Sequence, residues 1–331
     1  MAHEHCDDLE QLQRGFAGWD AELIQLGRIH GAAWSSMTLL PSTRIFRVHA
    51  GRSVVIRGQL SAGVGYVALA SSHYTHVRLL GQPLDTSCFA IMGRGARIDV
   101  FLPADATLCI IGAASLADFA PRRVQIRTST PESVAHLLHC ATSTADAALS
   151  DRTRTRLAID DVLNRQIRLA IESSVAQTPG ARTRSLRTSA ALRACRFIEA
   201  HLGQSISLAD LCKHCGAGVR TLEYGFRQLY DTTPISFIKS QRLSRARDAL
   251  LRMSGQPVVI QQVATRLGFT HMGQFAQDYR LHFDESPSTT LQRARQRRQA
   301  DRTMRQQGDV AGPFNQRPLS THTLSWSLRR E

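Results

Sequence analysis

The chain has 331 residues, 43% of them hydrophobic, and a formal net charge of +14, enough apolar material for two separate cores. The charge is uneven: residues 1–181 carry 17 Lys+Arg against 16 Asp+Glu, and residues 182–331 carry 24 against 11, so only the second half suits a polyanion such as nucleic acid. No apolar run approaches the roughly 18–20 residues of a membrane span, residues 1–10 are polar and acidic with no secretory signal, and the seven cysteines are odd in number and scattered, so a cytoplasmic chain with reduced thiols and no membrane partner is expected.

Residues 23–127 read as β. Short apolar runs recur at Leu23–Ile29, Arg44–His49, Ser53–Leu60, Tyr66–Ala70, Ser87–Met92, Arg97–Phe101 and Thr107–Ile111, with glycine- and proline-bearing turns between several of them. That spacing predicts a sandwich or a small barrel. No helix-length periodic segment interrupts the runs, which argues against a doubly wound fold.

Helix then takes over. Thr130-Pro131 supplies an N-cap with Pro at the first helical position. A longer helix is expected over 156–175, with Leu163, Ile167 and Ile171 on one stripe. That stripe suits either a dimer seam or packing on the sheet. Residues 177–189 are polar, basic and without caps, and read as a linker. Residues 299–331 lose the pattern and read as a disordered tail.

Between residues 206 and 287 a helical cassette occurs twice, about 53 positions apart. Leu211 corresponds to Val263, Leu222 to Phe275, Phe226 to Tyr279 and Pro234 to Pro287. The first copy follows a helix at 190–202 and opens on Ser207-Leu208-Ala209-Asp210, a capping box with Asp in place of Glu. Gly216-Ala217-Gly218 makes the turn, and a helix over 219–230 buries Leu222, Phe226 and Leu229. Pro234 begins a connecting helix over about 235–253, roughly 27–29 Å long at 1.5 Å per residue, near the roughly 34 Å between successive turns of a major groove. In the second copy Gly268 ends the short helix, Phe269 packs beneath the turn, and Thr270 is expected to cap a helix burying Phe275, Tyr279 and Phe283. Two short helix–turn–helix units in a basic background suit a tandem DNA reader.

At these residues the segment 191–295 resembles the DNA-binding domain of the AraC/XylS family of bacterial transcription regulators. The matching positions are Arg220-x-Leu222-x-x-x-Phe226, Thr233-Pro234, Arg242-Leu243-x-x-Ala246-x-x-x-Leu250, Val263-Ala264-x-x-Leu267-Gly268-Phe269, Phe275-x-x-x-Tyr279-Arg280 and Ser286-Pro287. Four positions depart from the family pattern. Gly218 and Gly273 stand where Ser is common, Gln277 replaces a common Arg, and Asp284 replaces a common Gly, which predicts a left-handed turn made by Asp. The Arg-to-Gln change exchanges a guanine contact for an adenine contact, so no consensus site carries over.

For base readout the outward faces offer Arg220, Glu223 and Tyr224 in the first reading helix, and His271, Gln274 and Gln277 in the second; Met272 also faces outward in this reading. Arg suits guanine, Glu a cytosine amine and Gln adenine. For phosphates the candidates are Arg227, Lys239, Arg242, Arg266 and Arg280, which position without specifying; Arg242 suits a structural pair equally. The alternative for each is an ordinary solvated helix face.

Weaker signals favour bland readings. Cys212-x-x-Cys215 lacks the further ligands a structural zinc needs, and Cys212 is assigned a small buried position. His73-x-x-His76, with His49 and His30, lacks both a His-x-His and any Glu between Glu22 and Glu132, so no metal and no cofactor are expected. Arg44, Arg47, His49, His73 and Arg97 are weak candidates for an effector pocket, where Arg would hold a small carboxylate. Gly63-x-Gly65 is no dinucleotide loop.

The sequence therefore predicts a two-domain α+β chain. Residues 1–176 form an effector-sensing and dimerising domain, β-rich over 20–127 (a sandwich or cupin-like barrel) and helical over 130–176. Residues 190–298 form an all-α tandem helix-turn-helix domain. The expected partners are double-stranded DNA, a small-molecule effector, a second copy of the chain and, from the resemblance, RNA polymerase, with activation more common than repression. No enzyme activity is expected. The rival readings are a DNA-repair alkyltransferase fused to the same reader and a ligand-independent DNA-binding protein.

Overall fold

The computed structural model describes residues 4–5, 20–27, 33–60, 64–71, 77–93, 95–116, 124–147, 153–176, 186–253 and 259–308. Its strands are β1 (Glu4–His5), β2 (Asp20–Gln25), β3 (Trp34–Leu39), β4 (Thr43–His49), β5 (Val54–Gln59), β6 (Gly65–Ser71), β7 (Val77–Leu79), β8 (Gln82–Leu84), β9 (Cys88–Met92), β10 (Arg97–Leu102), β11 (Thr107–Ala113), β12 (Gln125–Thr128) and β13 (Val175–Ala176). Each of the seven apolar runs contains a strand. The unanticipated ones are very short or, like β3, alternate Ser and Thr with apolar residues and so show little hydrophobic signal.

The strands form two antiparallel sheets, so the sandwich alternative holds. One has the order β1-β3-β4-β11-β6-β9-β12-β13 and the other β2-β5-β10-β7-β8. Between them lies a core that includes Leu23, Phe46, Val48, Ile56, Val100 and Ile110. Side chains alternate faces along a strand, so Val54 and Ile56 point into this core while Val55 points away from it. Val55 is nevertheless fully buried, because the outer faces of both sheets are covered too.

Helices α1 (Pro131–Ala147) and α2 (Thr153–Ser173) cover the eight-stranded sheet. Leu163, Ile167 and Ile171 join Ile45, Val67, Phe89 and Ile111 in one core. The stripe that suited either a dimer seam or the sheet is thus used by the sheet. Asp160 fixes the helix by accepting from Ser42 N at 2.7 Å and Ser42 Oγ at 2.9 Å.

The outer face of the five-stranded sheet is covered by the C-terminal helices. These are α3 (Leu186–Ala200), α4 (Leu208–Cys215), α5 (Val219–Tyr230), α6 (Pro234–Arg252), α7 (Ile260–Arg266), α8 (Met272–Phe283) and α9 (Pro287–Gly308). Ile24, Val55 and Phe101 from the sheet share a core with Ala190, Ala194, Ile198, Leu222, Phe226 and Phe237. The result is four layers: helices, sheet, sheet, helices. A separate small core of Leu243, Ala246, Leu250, Val263, Phe275, Tyr279 and Phe283 holds the second cassette.

Two boundaries differ from expectation. Helix α3 begins at Leu186, inside the segment read as linker; residues 177–185 lie outside the described set. Helix α9 continues to Gly308, ten residues into the segment read as a tail. Gln, Arg, Ala and Met are good helix formers, and they extend this helix without a hydrophobic stripe to announce it. Residues 309–331 are outside the described set.

Close approach of α3 and α5 depends on Gly225. A Cβ built there falls 2.3 Å from the Arg187 carbonyl oxygen and 2.9 Å from the Ala191 Cβ. One obstacle is backbone, which cannot rotate aside. Gly225→Ala is therefore expected to destabilise the chain by about 1–3 kcal/mol in a urea titration. A loss below about 0.5 kcal/mol would mean that α3 gives way freely.

Candidate nucleic-acid interface

Helix α4 starts on a complete capping box. Asp210 N donates to Ser207 Oγ at 3.1 Å, and Ser207 N donates to the Asp210 carboxylate at 2.9 Å. The following helix α5 is capped by Gly218 without a side-chain hydrogen bond, as the missing Ser implies. Leu222, Phe226 and Leu229 are buried as expected, together with Gly225 and Tyr230. On the opposite side Arg220 and Arg227 are exposed, Glu223 is half-buried and Tyr224 is 53% exposed. The Arg187 guanidinium stacks 4.8 Å from the Tyr224 ring centre and fixes its orientation.

In the second cassette Gly268 takes a φ of +80°, a backbone conformation glycine supplies without steric cost. Phe269 packs on Phe275 with ring centres 4.8 Å apart. The cap of α8 is His271 rather than Thr270, and it makes no side-chain cap bond; the extended residue falls one position later than expected. His271, Gln274 and Gln277 are exposed, whereas Met272 is half-buried against the core. A Cβ at Gly273 would meet nothing, so the position has open space for the Ser common in the family. Asp284 ends α8 in the left-handed region at φ 59°, as the missing Gly predicted, and Asp231 ends α5 the same way at φ 53°.

The phosphate candidates divide. Arg227, Arg266 and Arg280 are exposed. Lys239 pairs with Asp278 at 2.6 Å, and Gln274 Nε2 donates to the same carboxylate at 3.0 Å. Asp278 thereby ties α6 to α8, and nothing in the residue pattern singled it out. Arg242 is structural: it donates to the Leu202 carbonyl at 3.1 Å, the Gly268 carbonyl at 3.4 Å and the Gln204 carbonyl. Its guanidinium locks the two cassettes together and is not free to reach a phosphate. Helix α6 between the reading helices has 19 residues, about 28 Å at 1.5 Å per residue.

The weak effector candidates do not converge. Arg47 lies under α1, paired with Asp146 at 3.1 Å and bonded to Ser36. His49 meets Thr107 at 3.0 Å and stacks on Trp34. Arg44 is exposed, Arg97 is exposed on the other sheet, and His73 is outside the described residues. Of the Cys pair, Cys215 rather than Cys212 takes the buried position; the i, i+3 spacing turns one of them outward. No group of metal-binding side chains occurs among the described residues, and no described helix is long and apolar enough to cross a membrane.

Sequence reasoning missed the seam between the sandwich and the reader. Arg57 on β5 donates from Nε to Asp99 Oδ2 at 2.9 Å and from Nη2 to Tyr230 Oη at 2.9 Å. Tyr230 in turn donates to Asp99 at 2.8 Å. Burial, and then the Asp99 charge, hold the phenol well above its usual range, so it remains a donor. At the other end Gln25 is fully buried. Its N–H donates to Ser244 Oγ at 3.2 Å, its side-chain amide to the His282 carbonyl, and its own carbonyl lies 3.0 Å from His282 Nε2. Glu22 holds Arg245 at 2.7 Å. Arg78 reaches the end of α5, donating to the Leu229 carbonyl at 3.3 Å and pairing with Asp231 at 3.1 Å. One sheet thus grips both cassettes while both reading faces point to solvent.

A family model described as a helix-turn-helix domain matches residues 211–293. A Rhodococcus erythropolis protein described as a probable thc operon regulatory protein is 37% identical over 95 residues, 29% of each chain. The Pseudomonas putida XylDLEGF operon transcriptional activator 2 is 36% identical over 99 residues, 30% of this chain and 63% of that protein. The chain thus spans less than two thirds of the length of either relative. Among solved structures, a probable AraC family transcriptional regulator from Rhodopseudomonas palustris is 35% identical, over 32% of this chain and 97% of that one, with a TM-score of 0.30. Through its paired cassettes and the motif they share with these relatives, this chain belongs to the AraC/XylS family of transcription regulators.

Proposed function

We propose that the protein is a ligand-responsive activator of a catabolic or metabolic operon, working in the cytoplasm as a homodimer. Residues 190–298 read DNA, and residues 1–176 sense a small molecule and dimerise. The observation that carries this reading is the pair of exposed helix faces on α5 and α8, separated by a connecting helix of about 28 Å, close to one turn of major groove. Arg220, Glu223 and Tyr224 face one groove segment, and His271, Gln274 and Gln277 the next. Arg227, Arg266 and Arg280 meet phosphates. The relatives described as operon activators support activation, which requires contact with RNA polymerase. Val162 and Leu169, exposed one heptad apart on α2, support self-association. The alkyltransferase alternative needs an activated thiol. Burial instead pushes Cys88 up to about 11 and Cys109 up to about 12, which supports a regulator without catalysis.

Footprinting upstream of its own and neighbouring genes, with and without candidate metabolites, tests the reading; no protected site at any salt concentration overturns it. On the site so found, Arg220→Ala is expected to lose about 1–3 kcal/mol of binding, mainly at one base position. Equal weakening on specific and random DNA would move Arg220 to the phosphate class.

A further inference from the structure

A cavity of about 160 Å³ lies in the seam between the five-stranded sheet and α3. Its floor is Arg57, its walls are Leu80, Ile98 and Leu192, and Arg97 and Arg196 stand exposed at its rim. Arg57 is 8% exposed. Two of its three guanidinium nitrogens are engaged by Asp99 and Tyr230, but Nη1 is buried with no hydrogen-bond partner. An unmet buried donor costs about 1–3 kcal/mol, and more on a charged group, so the site calls for an acceptor. Asp99 is already committed to Arg57 and Tyr230. Three guanidinium groups, one of them short of an acceptor, facing apolar walls describe a receptor for an anion with an apolar body. A carboxylate presents planar acceptors that match a guanidinium edge. A cavity of about 150 Å³ holds a benzene-sized body.

We propose that this cavity binds a small monocarboxylate, its oxygens accepting from Arg57 Nη1 and from the rim arginines, its body against Leu80, Ile98 and Leu192. Half of the lining belongs to the sandwich and half to α3, so the ligand bridges sensor and reader. A ligand that fits only the docked arrangement shifts the chain toward it. This rests on the ligand-responsive reading above and moves the effector site out of the sandwich interior and into the seam.

The test uses the full chain in calorimetry and thermal unfolding with hexanoate, benzoate, their neutral amides and inorganic phosphate. The expected result is a raised unfolding midpoint with one of the carboxylates, and binding at least about tenfold weaker (1.4 kcal/mol) for the matching amide. Leu192→Trp fills the cavity from the reader side and, with a cooperative unfolding transition retained, is expected to lose at least about tenfold in carboxylate affinity. Arg57→Lys keeps a charge beside Asp99 but lacks the second donor, and is expected to weaken binding similarly. No carboxylate binding, equal affinity for the amide, tighter binding of phosphate, or undiminished binding in Leu192→Trp overturns the proposal. Footprinting without ligand separates the two ideas. Protected DNA with no carboxylate binding sinks only the cavity, while carboxylate binding with no protected DNA sinks the regulator.

Discussion

Asp99→Asn is expected to destabilise the full chain by about 3–5 kcal/mol, the typical loss when one partner of a buried ion pair is removed. The Asp99 carboxylate accepts from Arg57 Nε and Tyr230 Oη and neutralises a guanidinium that is 8% exposed. The amide keeps the shape and removes the charge. Arg57 is then left charged, dry and short of acceptors. The loss has a ceiling, because undocking the reader returns Arg57 to water. A drop smaller than the ion-pair value, with hydrogen exchange in β5 and α5 greatly accelerated, would measure the docking free energy itself. Tyr230→Phe removes one hydrogen bond and no charge, so its loss is expected near 1 kcal/mol. The two substitutions share partners, and their effects should deviate from additivity by about 0.5–3 kcal/mol. Additive losses with unchanged exchange would show that the triad does not hold the layers together.

The second large effect is a pair of opposed pH dependences that mask each other. Burial, followed by nearby Arg52, Lys239 and Arg247, pushes His282 down to about 4, against the upward pull of its bond to the Gln25 carbonyl. A histidine with a depressed folded value stabilises above its unfolded value near 6.5, and that stability is lost as pH falls toward 4. Asp248 on α6 is pushed up to about 6, by burial first and by Glu22, against Arg252, Arg245 and Arg247. Its sign is opposite. The folded state takes up a proton before the unfolded one does, so stability rises as pH falls from about 6 toward 4. Each shift amounts to about 3 kcal/mol at 1.36 kcal/mol per unit. Asp248→Asn is therefore expected to expose a loss of about 2–3 kcal/mol between pH 6.5 and 4.5, while His282→Gln removes that loss and leaves a gain. Denaturant titrations across this range, compared between the two variants, cancel the background of other carboxylates. Parallel slopes in the two variants would show that neither group is buried in the state that unfolds.

The reader was legible in the sequence because its determinants are local. The capping box at Ser207 and Asp210, the left-handed Asp284 and the stripes of Leu222 and Phe226 each depend on residues within a turn or two. The seven main strands were legible for the same reason. The seam was not, because its bonds join residues far apart in the chain: Gln25 meets His282, and Asp99 meets Tyr230. Charge alone misled at Lys239 and Arg242, which suit phosphate in composition but are engaged by Asp278 and by three backbone carbonyls. Some signals did exist. Val54-Val55-Ile56 is apolar on both faces of its strand, which means that both faces are covered. Asp99 interrupts an otherwise apolar strand, and a buried charge needs a partner.

The grip of Arg78 on the end of α5 has an electrostatic meaning as well. A helix carries partial negative charge at its C-terminus, and an Asp there, such as Asp231, adds to it. Arg78 places a cation at that pole and bonds one of the last unpaired carbonyls, at Leu229. The negative pole of the first reading helix is therefore neutralised by a residue of the sandwich, and withdrawal of the sheet would leave its last turn to fray. The second reading helix ends on Asp284, with Arg280 and His282 in its own last turn. Of the two, only the first has its order at the far end coupled to the position of the sensor.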